Sequence, residues 1–206
     1  MADATAAFWL PSLMRSIERQ APSVNVRMVP LTTREPRPML LRGDIDLAVG
    51  FFPGVAAQLS SETGSPIRHE RLYSGKYVCV MRRGHPLADK ELTLDNYCAA
   101  NHLLVSFSGR AHGLIDEALS QIHRERRILL TVNQFFTAGR VVANSDLITV
   151  LPRHLIASTG MTESLLYKDL PLTLPAVHLD MLWHERDARS PAHKWLRNHL
   201  ESMNTP

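Results

Sequence analysis

Cysteine is almost missing from this 206-residue chain. Cys79 and Cys98 have no motif spacing and lie among apolar neighbours, so neither a disulfide framework nor a metal site is expected. No apolar run approaches the roughly 20 residues that a membrane helix needs, so no membrane partner is expected. Residues 1–20 lack a basic start, an apolar stretch and a small-residue cleavage site, which predicts no export and a cytoplasmic setting. An excess of one charge is also lacking, since 23 basic residues face 20 acidic ones and both are dispersed. The densest basic run, His123-Arg124-Glu125-Arg126-Arg127, contains an acid and no interleaved aromatics, and reads as a solvated helix end rather than a nucleic-acid footprint. Fixed-period repeats, heptads and low-complexity tracts are absent. With 45% hydrophobic and 21% charged residues, the chain has the make-up of one globular domain or two small ones.

The patterning alternates helix and strand. Leu10, Leu13, Met14 and Ile17 share one helical face, with Pro11 bending the helix or starting its regular part, and Ala21-Pro22 ends it. Val24 to Val29 alternates apolar and polar residues as a strand. A short helix over Pro38 to Arg42 is stopped by Gly43, which suits the left-handed position, and Ile45, Leu47 and Val49 form the next strand. Residues 53–66 are rich in Gly, Ser and Pro and read as a mobile surface loop. Strands are predicted at Ile67 to Tyr73, Lys76 to Met81, Leu103 to Phe107, Ile128 to Val132, Leu147 to Leu151 and Ala176 to Trp183. Helices are predicted at His112 to His123, at Gln134 to Val142, after Pro152, and from Pro191 onward with Trp195, Leu196 and Leu200 on one face. The succession is that of an α/β protein with two lobes and chain crossings near 73–77 and 172–178.

Ten histidines invite an enzyme or metal reading that their spacing does not support. His193 and His199 are six apart and share no helix face, and His69-Glu70 and His184-Glu185 lack an HExxH continuation. No nucleophile elbow, phosphate loop or zinc pattern occurs. Ser145, Asp146 and His154 could be imagined as a triad, but nothing in the sequence positions them. No catalytic residue, metal or cofactor is therefore expected.

Four segments together are similar to the effector-binding domain of LysR-type transcriptional regulators. They are Gly43-Asp44-Ile45-Asp46-Leu47-Ala48-Val49; Tyr77 to Ala88, with Arg82-Arg83-Gly84-His85-Pro86; Val141 to Pro152, with Asn144-Ser145-Asp146; and Trp183-His184-Glu185-Arg186 with Pro191 to Arg197. The ending resembles the branch that senses aromatic acids, nitroaromatics or plant flavonoids. The resemblance implies two Rossmann-like lobes joined by two crossing strands, as in type-II periplasmic binding proteins. Lobe I would be residues 1–75 plus 176–206, and lobe II residues 76–175. Such regulators carry an N-terminal winged helix-turn-helix that has no counterpart here, which implies a truncated chain that keeps sensing and oligomerisation while DNA contact resides in the missing part. The implied partners are a small organic acid and further copies of the chain, as homodimer or homotetramer, through the helix Pro38 to Arg42 with its following strand and the helix His112 to His123. A solute-binding protein of a transport system is the alternative on the same fold.

In that family the effector lies between the lobes, against helix starts and loops, where unpaired N–H groups and the helix dipole favour a carboxylate. The matching positions are Asp3, Ala4 and Thr5 at the first helix, and Phe51 and Phe52 after the second strand. In lobe II they are Ser106, Phe107, Ser108, Gly109 and Arg110, followed by Gln134, Phe135, Phe136 and Thr137. Hydroxyls and the Gln134 amide suit a carboxylate or phenol oxygen, although Ser and Thr at helix entries usually serve as caps. The phenylalanines could stack on an aromatic ring, or belong to the core. Arg110 could pair with an acid, or simply be solvated.

Overall fold

The computed structural model describes residues 1, 3–30, 35–106 and 109–203. The elements run α1 (Asp3–Gln20), α2 (Arg37–Arg42), β1 (Leu47–Gly50), α3 (Val55–Ser61), β2 (Ile67–Gly75), β3 (Tyr77–Arg82), α4 (Leu94–Ala99), β4 (Asn101–Val105), α5 (Leu114–Gln121), β5 (Arg127–Val132), α6 (Phe135–Ala143), β6 (Leu147–Pro152), β7 (Leu165–Asp169), β8 (Val177–His184) and α7 (Pro191–Ser202). The chain divides into two compact units, Met1–Ser74 with His178–Pro206, and Gly75–Val177.

In the first unit the three- and four-residue spacing of Ala6, Trp9, Leu13 and Ile17 turns one face of α1 into the core. Trp9, Leu13 and Ile17 pack with Val49, Leu72, Met181, Trp183 and Leu200. The sheet order is β1-β8-β2, and β1 runs antiparallel to β8 with Leu47 opposite Trp183 and Val49 opposite Met181. Gly43 ends α2 at φ 79°, a conformation that a side chain would strain. The last carbonyls of α2 find a distant partner in Arg186, which donates to Leu40 O at 2.7 Å and Leu41 O at 3.1 Å. Ser190 Oγ accepts from His193 N at the start of α7, where Pro191 needs no amide partner. Arg197, 8% exposed, lies 4.6 Å from the Trp183 ring centroid and donates to His193 Nδ1 and Ala188 O.

The second unit has a five-stranded sheet of order β5-β4-β6-β3-β7. β4 is parallel to both β5 and β6, while β3 is antiparallel to β6 and β7. Residues Val78 to Met81 of β3 are fully buried, and their unbroken apolar run reflects a strand covered on both faces. Arg82 donates through Nε and Nη2 to Asp146 Oδ1 at 2.9 and 2.6 Å, and His85 Nε2 lies 3.2 Å from Asp146 O.

Several expectations need correction. The loop over 53–66 contains α3, because Ala56, Ala57, Gln58 and Leu59 favour a helix that buried Val55 anchors. Residues 24–29 belong to no strand despite their alternation, since a ladder needs a neighbouring strand and, among the described residues, none pairs with them; the Met1 amine donates to Val29 O at 3.1 Å. The helix expected from His112 to His123 is confined to Leu114–Gln121, since Asp116 accepts from Gly113 N to fix its start. Pro152 closes β6 and leads into three short 3-10 turns, Arg153–Leu155, Ala157–Thr159 and Thr162–Ser164, rather than an α-helix. α4 and β7 have no counterpart in the sequence reading; Thr93 Oγ1 accepting from Asn96 N caps α4. Among the described residues no helix is long and apolar enough to cross a membrane.

Close packing makes one position decisive. A Cβ added at Gly139 of α6 would lie 2.3 Å from Cβ of Thr159, which is fully buried. Gly139→Ala is expected to lower stability by about 1–3 kcal/mol through overpacking, read as a lower denaturant midpoint at unchanged m-value. An unchanged midpoint would show that this contact yields.

Candidate ligand-binding site

Parallel strands deliver their carboxyl ends to one edge of a sheet, the place where α/β proteins set loops and helix starts against ligands. In the second unit β4 and β5 end side by side, and Ser106 N donates to Val132 O at 2.8 Å. That bond brings Ser106 next to the segment that opens α6. Gln134 precedes α6 with an extended backbone, and its side chain does not cap the helix. Its amide oxygen accepts from Thr137 Oγ1 at 3.4 Å instead. The amide groups of the first turn have no partner inside the helix, and the dipole there favours an anion. Phe135 is half-buried and packs on the core that contains Val78, Leu103 and Val142. Phe136 is 44% exposed, and the Arg140 guanidinium sits 4.9 Å from its ring centroid. Gly109, at φ 71°, and Arg110 are exposed, and Ser106 is buried. Phe107 and Ser108 lie outside the described residues.

The candidates of the first unit divide between helix and core. Asp3, Ala4 and Thr5 open α1; Thr5 is buried, and the side chains of Asp3 and Ala4 lie outside the described residues. Phe51 is half-buried directly after β1. Phe52 is 3% exposed and packs with Leu40, Ala48, Val55, Ile67 and Leu182, so its ring serves the core.

The densest polar chemistry lies elsewhere and is closed to ligands. Arg126, with a side chain 1% exposed, binds Asp116 through Nε at 2.8 Å and Nη2 at 3.0 Å. This overturns the reading of 123–127 as a solvated helix end: its third basic residue turns inward because Asp116, fixed at the start of α5, offers a two-pronged acceptor. His102 is fully buried, with Nε2 2.8 Å from Tyr97 O and Nδ1 3.4 Å from Arg126 Nη1. A neutral ring that donates from Nε2 and accepts at Nδ1 satisfies both neighbours. Burial, and then the adjacent Arg126 charge, push its pKa down to about 4. Burial alone would raise the Asp116 carboxyl, but its bonds and charge contact with Arg126 hold it below the usual value. Burial pushes the Cys79 thiol up to about 12, which leaves it unreactive.

Ser145 Oγ donates to Val141 O and accepts from Leu147 N, and Asp146 is engaged by Arg82, so these two are helix-end and strand fixtures. In the first unit buried Asp180 draws His69 and Arg71 to 3.1 and 3.2 Å. Among the described residues no group of three His, Cys, Asp or Glu side chains is placed to hold a metal ion. Sequence reasoning missed the Arg126–Asp116–His102 cluster because its members are 10 to 24 residues apart and meet only once α5 packs on the sheet.

The histidine sets a pH dependence. Its folded pKa lies below the unfolded value of about 6.5, so between the two the unfolded chain binds more protons. The stabilisation is complete above pH 6.5 and is lost as pH falls toward 4, to the extent of about 2–3 kcal/mol. Urea midpoints at pH 7 and 4.5 are expected to fall more steeply for the natural chain than for His102→Gln, and equal slopes would refute this.

Comparison with known proteins adds to the geometry. The family model of the LysR substrate binding domain matches residues 1–204. The transcriptional activator NahR of Pseudomonas putida is 29% identical over 197 residues, covering 96% of this chain and 63% of its own length. The chain thus spans less than two thirds of that relative. The crystal structure of the regulatory domain of MexT, a transcriptional activator in Pseudomonas aeruginosa, superposes with a TM-score of 0.80 at 27% identity, over 98% of this chain and 94% of that one. The effector-binding domain of QuiR in complex with shikimate shares the fold, with a TM-score of 0.72 at 17% identity over 98% and 93% of the two chains. The α/β architecture is therefore that of LysR regulatory domains, the type-II periplasmic-binding-protein-like fold.

Proposed function

Since the chain belongs to the LysR substrate binding domain family, we propose that it is the effector-sensing part of a cytoplasmic transcriptional regulator and binds a small aromatic acid without transforming it. The observation that carries this reading is the start of α6. There an exposed phenylalanine backed by Arg140, a helix start that the Gln134 side chain does not cap, and Ser106 are gathered at the carboxyl ends of parallel strands. The dipole and amides suit the carboxylate, and the Phe136 ring offers a face for an aromatic ring. In this reading Gln134, Thr137, Gly109 and Arg110 complete the site in this unit, and Phe107 and Ser108, which lie outside the described residues, are assigned to it from the family resemblance alone. Thr5, Asp3, Ala4 and Phe51 are the candidates of the other unit, where Phe52 packs in the core.

Binding alters transcription only if the acid prefers one state of the regulator over another. In this reading those states are arrangements of an oligomer on DNA, with DNA contact made by polypeptide outside these 206 residues. Leu41 within α2 and Ile122 after α5, 45% and 48% exposed, are apolar groups at the two elements assigned to self-association. NahR and MexT are transcriptional activators, which favours regulation over the transport reading.

Calorimetry with salicylate, nitrobenzoate and a flavonoid tests the proposal, with the solution analysed for product afterwards. Saturable binding of one of them with full recovery of the compound is expected. Phe136→Ala is expected to weaken that binding about tenfold, equivalent to about 1.4 kcal/mol. Consumption of the compound, or an unchanged affinity in Phe136→Ala, would contradict the assignment.

A further inference from the structure

A carboxylate on a central strand is costly to bury, and the first unit carries one. Asp180 is 2% exposed on the middle strand of the order β1-β8-β2. Strand alternation puts it on the face where Leu182 packs with Leu40, Phe52 and Val55. On β2 the same face holds Ile67, His69 and Arg71. His69 Nε2 lies 3.1 Å and Arg71 Nε 3.2 Å from Asp180 Oδ1. His178, two residues before Asp180, adds a third basic group to this face, with Nδ1 3.0 Å from Ser74 Oγ. On the other flank β1 places Gly50 opposite Asp180, and a Cβ there would lie 3.1 Å from the Phe52 ring. That flank therefore offers a ring and no side-chain acceptor.

One base is enough to compensate a buried carboxylate, and here there is a surplus. Arg71 spends only Nε on Asp180; among the described residues its Nη groups have no hydrogen-bond partner, and its side chain is 41% exposed. His69 Nε2 is buried and, despite its closeness to Asp180, makes no hydrogen bond among the described residues. The adjacent Glu70 does not supply the missing acceptor, because it pairs with Glu201 of α7. We propose that the free Nη groups of Arg71, with His69 beside them, form a second binding site for the carboxylate of a small monoacid, built from the first unit alone. Asp180 orients it: with Nε fixed, the plane of the guanidinium is set before a ligand arrives. That planar fork matches the two oxygens of a carboxylate. Charge narrows the class further. Asp180 cancels the charge of Arg71 and leaves only the imidazoles to balance a ligand, which suits one negative charge rather than the two of a phosphate.

Nitrogen-15 NMR of the 206-residue chain tests this, by following the Arg71 Nε–Hε signal and the backbone amides of His69 and Asp180 during titration with sodium benzoate. Saturable movement of all three is expected, with sodium phosphate at equal ionic strength binding about tenfold more weakly. No saturable movement at Arg71, or phosphate binding as tightly as benzoate, would overturn the assignment. Arg71→Lys keeps the charge and removes the planar fork. It is expected to weaken the response of His69 and Asp180 about tenfold, and an unchanged affinity would also overturn the proposal. Ser106 and Gln134 to Thr137 are read in the same spectra, and their response is expected to persist in Arg71→Lys. Its disappearance there would reduce the two sites to one and overturn the second. In the natural chain, movement at α6 without movement at Arg71 refutes this site alone, and the reverse refutes the α6 site alone.

Discussion

The parallel alignment of β4 with β5 and β6 is the constraint on which the binding proposal depends. Parallel strands must be joined by crossovers, so helices begin at the ends where those strands finish. α6 therefore opens immediately after β5, and the residue after β4 is tied to the end of β5 through Ser106 N and Val132 O. Everything that suits this edge to an anion follows from that arrangement: a helix start that Gln134 does not cap, hydroxyl and amide groups, and a ring left in contact with solvent. An antiparallel pairing of the same strands would have scattered these groups to opposite ends.

The segments that carry the family resemblance turn out to be framework. Gly43 and Arg186 together finish α2, and Arg197 lies on Trp183 while it fixes His193, whose Nε2 faces Asp46 O at 3.0 Å. Arg82 and His85 of the second segment both grip Asp146 of the third. These contacts join elements up to 147 residues apart and are satisfied inside the protein. The residues that would read a ligand lie next to this framework rather than in it, which is consistent with one fold serving different effectors through its loops.

Much of the fold was legible because periodicity reports burial. The α1 face, the β3 run and the amphipathic α7 all followed from spacing, and Gly43 followed from the need for positive φ. The misses share a cause. Strand formation at 24–29 depends on a neighbour that local pattern cannot supply, and α3 formed inside a loop-like composition because burial of Val55 outweighed the surrounding glycines and serines. Arg126 looked solvated since no sequence signal says that Asp116 will face it. At the candidate site the sequence located the α6 start but could not divide its two phenylalanines. Only the structure shows Phe135 turned to the core and Phe136 to solvent. Phe51 and Phe52 were equally undivided by the sequence; Phe52 fills the core while Phe51 stays half-buried.

The central claim is that this edge of the second unit receives an organic acid. Backbone amide chemical shifts followed by NMR during titration with salicylate report on it residue by residue. The account predicts saturable shifts at Ser106, Gly109 and Gln134 to Thr137, with Cys79 and His102 in the closed core unmoved. Shifts confined to residues 24–29 and 45–50, or none anywhere on titration with acids of this class, would contradict it.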